Sequence, residues 1–275
     1  MATPLDSPLT FTNVGKAKWW RSGFFASQTG YVLLALVTLF VVMNFASPYF
    51  LTQSNLQNVA KNFSFIAIAT LGVTFVIITG GIDLSVGSVM CFSAMITSMV
   101  MTSISTPGMP GAEWFVHLAD DGKTVIANVP GLILLISVLA GLGVALLVGL
   151  VNGFCIAVLG LSPFVTTLGM LSIVRGLGYV VSNGRGSFPS GPEAGYFYTL
   201  TSGVVFGLPA PSIYLVVLAA AMAVVLHHTG FGRHVFALGG NEKAAALTGI
   251  PVVRVKIEVY VICALAAGRS EEHTS

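Results

Sequence analysis

Seven long apolar runs leave this chain little choice of architecture. They cover residues 30–46, 58–79, 86–103, 130–151, 163–182, 212–227 and 255–267. Several reach the roughly 20 residues that a helix needs to cross a hydrocarbon core. Backbone amides and carbonyls find no partner in lipid, so runs of this kind must close their hydrogen bonds internally, as helices. Only 8% of the residues are charged and 55% are hydrophobic, against about 25% charged in a soluble domain. The expected fold class is therefore all-α, a polytopic transmembrane helical bundle of about seven membrane helices. The last run offers about 13 apolar residues, roughly 20 Å of helix, and is expected to be too short to cross comfortably.

Charge placement sets the expected orientation. Lys16, Lys18 and Arg21 precede the first run, which puts the N-terminus in the cytoplasm. After six crossings the chain returns to that side at the segment holding Arg233, Lys243, Arg254 and Lys256. The two long loops assigned outside, 104–129 and 183–211, hold only Lys123 and Arg185. They are rich in Gly, Pro, Ser and Thr, which favours turns over regular elements. The net charge of +2 gives no reason to expect nucleic acid as a partner. Residues 1–29 read as a cytoplasmic tail preceding a membrane domain over 30–268.

Two polar segments interrupt the apolar pattern. The first is Thr79-Gly80-Gly81-Ile82-Asp83-Leu84-Ser85-Val86-Gly87-Ser88. Its glycines let the backbone reverse, and Asp83 or Ser85 can cap the helix that follows. A carboxylate near the membrane edge is kept only with a compensating partner or role. The second runs from Gly239-Gly240-Asn241-Glu242 through Ala245 and Leu247 to Gly249-Ile250. Asn241 is a good N-cap, Glu242 complements the helix N-terminus, and Gly249 followed by Pro251 stops the helix. This short capped helix is either a connection or a rigid peg that fits a soluble partner.

Between them, Gly141, Ala145, Gly149, Gly153 and Ala157 recur every four residues, so they share one helix face and permit close approach of a neighbour. A polar path beside that face would have Asn152 as its nearest candidate. Arg175 is the strong charge inside a membrane run and either snorkels, pairs within the bundle or lines such a path. Glu258 is expected at the interface. Gly122-Lys123-Thr124 lacks the first glycine of a phosphate loop, with His117 in its place. No nucleophile elbow or zinc-binding His pair is present, and His227, His228 and His234 read as interfacial residues. Cys91, Cys155 and Cys263 lie in apolar runs, as small buried hydrophobes. No catalytic residue, metal site or cofactor is expected.

Together these segments make the chain resemble the permease subunits of ATP-binding-cassette importers for monosaccharides, of the ribose, xylose and galactose type. The run 79–88 looks like that family's signature, and 239–250 like its cytoplasmic coupling segment. Similar stretches are Ser162-Pro163-Phe164 through Leu168-Gly169, Arg175-Gly176, and His227-His228-Thr229 with Gly232-Arg233. The resemblance implies a second permease copy or related subunit, cytoplasmic ATP-binding subunits and an external (periplasmic) sugar-binding protein, in a bacterial inner membrane. It points to Gly80, Gly81, Asp83, Ser85, Asn152 and Arg175 as pathway or gate, and to Gly239, Gly240, Asn241, Glu242, Ala245, Leu247 and Gly249 as the ATPase-coupling surface. A branched-chain amino acid permease of the same superfamily is the nearest rival. Its counterpart of the turn carries Asn and Ala-His where this chain has Asp and Ser-Val. An ion-coupled carrier would need midplane carboxylates beyond Asp83. Relatives continue past position 268 with further apolar helices. Residues 269–275, Arg-Ser-Glu-Glu-His-Thr-Ser, correspond to a sequencing-library adapter read in frame, so a truncated gene is expected.

Overall fold

A computed structural model describes residues 28–269; the N-terminal basic residues and the last six residues of the chain lie outside this range. Ten helices run in the order α1 (Gln28–Ala46), α2 (Gln53–Ile78), α3 (Val86–Ser105), α4 (Leu132–Ala157), α5 (Pro163–Ser182), α6 (Ala194–Ser202), α7 (Ala210–His228), α8 (Gly230–Gly240), α9 (Glu242–Leu247) and α10 (Val252–Arg269). Six of them, α1 to α5 and α7, are long and apolar enough to cross a membrane. The seventh run becomes α10, which has 18 residues. It carries Arg254, Lys256 and Glu258 in its first two turns, so the count of membrane helices expected from the sequence drops from about seven to six candidates.

The described residues fall into two compact units divided between Leu56 and Gln57, within α2. The first contains α1 and the turns that follow it. There Phe40 and Phe50 meet edge to face at 4.9 Å, and the Asn55 amide donates to the Phe50 carbonyl at 2.8 Å.

The second unit holds everything else, and α10 lies at its centre. Val255, Val259, Tyr260, Cys263, Ala264, Ala266 and Ala267 are buried, packed chiefly against α4 and α3. The small-residue ladder explains how. A Cβ on Gly149 would lie 2.9 Å from both the Ala264 Cβ and the Tyr260 oxygen, and one on Gly153 would lie 2.8 Å from the Ile257 Cα. Ala145, one turn before Gly149, receives the backbone of Gly268, where a Cβ would come within 2.7 Å of its own. Gly141 does the same against Ser93 and Thr97 of α3. The expected face therefore exists, and its partners are α10 and α3.

The two long loops, 104–129 and 183–211, contain more regular structure than their Gly, Pro and Ser content suggests. In the first, β1 (Val116–Leu118) pairs antiparallel with β2 (Val125–Ala127), with His117 opposite Ile126. Asp121 forms the tip by accepting from the amides of Lys123 and Thr124 at 2.9 and 2.8 Å. In the second, α6 precedes a two-residue pairing of β3 (Val204–Val205) with β4 (Leu208–Pro209). The apolar residues there have somewhere to go: Met101, Ala112, Val116, Ile133 and Phe197 form one buried cluster.

Candidate functional site

The Asp83 turn is built by local rules and then fixed by distant ones. Helix α2 ends with Gly80 at φ +77. The Gly81 amide reaches back to the Val76 carbonyl at 2.9 Å and the Gly80 amide to Ile77 at 3.0 Å, the paired bonds of a glycine-terminated helix. Gly81 is needed for a different reason: a Cβ there would sit 2.7 Å from the Tyr260 hydroxyl and 3.0 Å from the Val76 side chain. The backbone thus turns at one glycine and passes α10 at the next.

Asp83 Oδ1 accepts from the Ser85 amide at 2.8 Å and from the Ser85 hydroxyl at 2.7 Å. Asn152, fully buried in α4, donates its side-chain amide to the same Ser85 oxygen at 3.0 Å. Ser85 occupies the N-cap position of α3 but makes no side-chain cap bond. Its oxygen is already committed to Asp83 and Asn152, which corrects the expectation that it could cap α3. The carboxylate is compensated by these hydrogen bonds. Three of the expected pathway residues, Asp83, Ser85 and Asn152, form one connected chain. Asn152 ties helices together inside the protein, and its Oδ1 has no partner among the described residues.

Arg175 stands apart from this chain. It is exposed on α5 and lines a cleft of about 300 Å³ against α3. Among the described residues it makes no ion pair.

The second segment folds as its sequence predicts. Asn241 Oδ1 accepts from the Ala244 amide at 3.0 Å, capping α9. Gly249, at φ +85, closes it, with the Ile250 amide bonded to Ala245 at 3.2 Å and the Gly249 amide to Ala246 at 3.1 Å. Ala245 is buried while Leu247 is 90% exposed, so α9 is anchored on one side and presents a bare leucine on the other. Glu242 meets Lys256 of α10 at 2.7 Å, and Glu258, half-buried, pairs with Arg254 at 2.8 Å. Gly240 is exposed and a Cβ there would meet nothing. Gly239 is different, because a Cβ there would run into the carbonyl oxygen of Ile78, the last residue of α2. The two segments, some 160 positions apart in sequence, are in backbone contact.

Upstream, Thr229 links two helices. Its hydroxyl donates to the Val225 carbonyl in α7 and accepts from the Gly232 amide in α8. His227 lies 5.9 Å from the Phe236 ring. No group of three metal-ligating side chains comes together among the described residues.

Sequence reasoning passed over Glu193, treated only as part of a turn. It is 2% exposed and accepts from the Gly131 and Leu134 amides, the latter at 2.8 Å. A carboxylate from the second long loop thereby caps the N-terminus of α4. Its presence in a Pro- and Gly-rich loop was the available signal, since a lone acid beside an apolar run requires a partner.

The family described as "Branched-chain amino acid transport system / permease component" matches residues 55–270. The ribose import permease protein RbsC of Bacillus subtilis is 30% identical over 233 residues, 84% of this chain and 63% of that protein. That of Escherichia coli K12 is 34% identical over 260 residues, 94% of this chain and 72% of the relative. The L-arabinose permease protein AraH of Azospirillum brasilense is 32% identical over 242 residues, 88% of this chain and 62% of the relative. No solved structure matches the chain significantly. With residues 55–270 matched and a 34% identical relative covered over 72% of its length, this chain belongs to the family of membrane permease components that takes in the ribose import permeases.

Proposed function

We propose that this chain is the membrane-spanning subunit of an ATP-driven importer for a monosaccharide. Its relatives are ribose and L-arabinose permeases, and the Asp and Ser-Val of its turn favour the sugar branch over the amino acid branch. The observation that carries the reading is the contact of Gly239 with the Ile78 carbonyl. It joins a capped surface helix, suited to receive force from a soluble ATPase, to the Asp83 turn between two membrane helices. Gly239 to Gly249 form the coupling surface, and Gly80, Gly81, Asp83, Ser85 and Asn152 form the joint it moves. An external binding protein delivers the sugar to the outer loops, and a second permease copy or related subunit completes the pathway. The N-terminus faces the cytoplasm of a bacterial inner-membrane protein. The chain itself neither binds nucleotide nor catalyses a bond change.

The test is reconstitution in vesicles with its ATPase and binding protein. ATP-dependent uptake of labelled ribose or arabinose is expected. Uptake of leucine with no sugar uptake would overturn the assignment in favour of the amino acid branch.

A further inference from the structure

Two adjoining clefts run along the seam between α3 and α5. The first, about 300 Å³, has Gly87, Ser88 and Phe92 on one wall and Arg175, Tyr179 and Ser182 on the other. The second, about 220 Å³, continues from Ser182 to Thr102, Ser103 and Arg185. From Gly87 to Ser103 the seam follows α3 for roughly 24 Å, most of a hydrocarbon core near 30 Å. It begins just after the Asp83 turn and ends at the outer loop.

We propose that this seam is an aqueous groove along which the transported solute passes, and that it selects a neutral, hydroxyl-rich ring. The solute class rests on the sugar-importer reading; the groove rests on the geometry. Arg175 lies seven residues before the end of α5, roughly 10 Å of helix from that end. It is exposed and has no ion-pair or hydrogen-bond partner among the described residues. Turned to acyl chains, an unpaired guanidinium is costly even on insertion scales. A face carrying it therefore meets water.

The lining chemistry narrows the solute. Neither cleft is lined by a carboxylate, and together they present two guanidinium groups, so a cation is disfavoured along the whole seam. The five N–H donors of an arginine and the hydroxyls of Ser182 and Ser103 match the oxygens of a polyol. The rings of Phe92 and Tyr179 offer flat apolar surfaces for the C–H face of a sugar.

Cys91 supplies the probe, because it is exposed within the first cleft and not buried as its apolar run suggested, while Cys155 is half-buried and Cys263 buried. The full chain in vesicles, carrying Cys155→Ser, is treated with a charged methanethiosulfonate and with an uncharged apolar maleimide. Cys91 is expected to react with the charged reagent roughly tenfold faster than Cys155 does in the matched Cys91→Ser protein. Excess D-ribose or L-arabinose should slow that reaction, whereas leucine should not. Reaction with the apolar reagent alone would place the seam against lipid and overturn the groove. Rapid reaction without protection by either sugar would overturn the solute. A complete complex that takes up no sugar would instead sink the proposed function, whichever way Cys91 reacts.

Discussion

Gly239 of α8 and Ile78 of α2 approach so closely that a single methyl group on the glycine would overlap the isoleucine carbonyl oxygen. Because Ile78 closes α2 immediately before Thr79 and Gly80, displacement of α8 bears directly on the Asp83 turn. In the reconstituted complex, Gly239→Ala should lower ATP-driven uptake by about tenfold or more, with insertion retained. Overpacking of this kind costs about 1–3 kcal/mol, so thermal stability in detergent should also fall. Gly240→Ala, at a position with open space, is the control for overpacking and should leave thermal stability at the wild-type level.

The ladder on α4 makes a paired prediction. Gly149→Ala drives a methyl group into Ala264 and Tyr260, whereas Gly143 has nothing within 4 Å. The first substitution should destabilise by about 1–3 kcal/mol, while Gly143→Ala should stabilise by about 0.5–1 kcal/mol through helix propensity. Thermal unfolding of the purified proteins checks both signs.

At the turn, Asp83→Asn keeps an acceptor oxygen for the Ser85 amide and hydroxyl, and Asp83→Ala removes it. Uptake should fall further in the alanine variant. Since Asn152 reaches Asp83 only through Ser85, Ser85→Ala and Asn152→Ala should be non-additive, with a coupling of about 0.5–3 kcal/mol in a double-mutant cycle on stability. Strict additivity would mean that the three side chains act separately.

Glu193→Ala should leave the Gly131 and Leu134 amides unpaired. A loss of about 1–3 kcal/mol is expected from the orphaned donors. Hydrogen exchange at those two amides should accelerate, and Glu193→Gln, which retains an acceptor, should lie between the alanine variant and wild type.

The hairpin tip carries a pH prediction. The Thr124 hydroxyl, then the Thr124 and Lys123 amides, hold the Asp121 carboxyl down from 3.8 to about 2. A carboxyl lowered on folding stabilises above its unfolded value and loses that contribution as pH falls through the folded one. Exchange protection of the Lys123 and Thr124 amides, corrected for intrinsic rates, should therefore hold from neutral pH down to about 4 and decline toward pH 2. Asp121→Asn should remove the pH dependence.

Which features could be read beforehand depended on their range. The caps and glycine stops of α9 and the reversal at Gly80 are consequences of neighbouring residues, so their sequence carries them. The ladder's period was equally plain, but its partner was not. α10 looked too short to cross, and nothing local says that a half-charged helix ends at the centre of a unit. Asn152 reaching Ser85, Glu193 reaching α4 and Gly239 reaching Ile78 are each contacts across 59 residues or more of chain. One clue was available for the last. Two membrane crossings precede the Asp83 turn and six precede α8, both even numbers, which puts the two segments on the same side.

Where α4 meets α10, the contact is largely backbone against backbone, with few side chains long enough to change rotamer. Such a seam has no slack to absorb a displacement. The two helices resist displacement against each other, and the movement that the proposed transport asks for is left to their margins, along the α3–α5 seam and at Thr229 between α7 and α8.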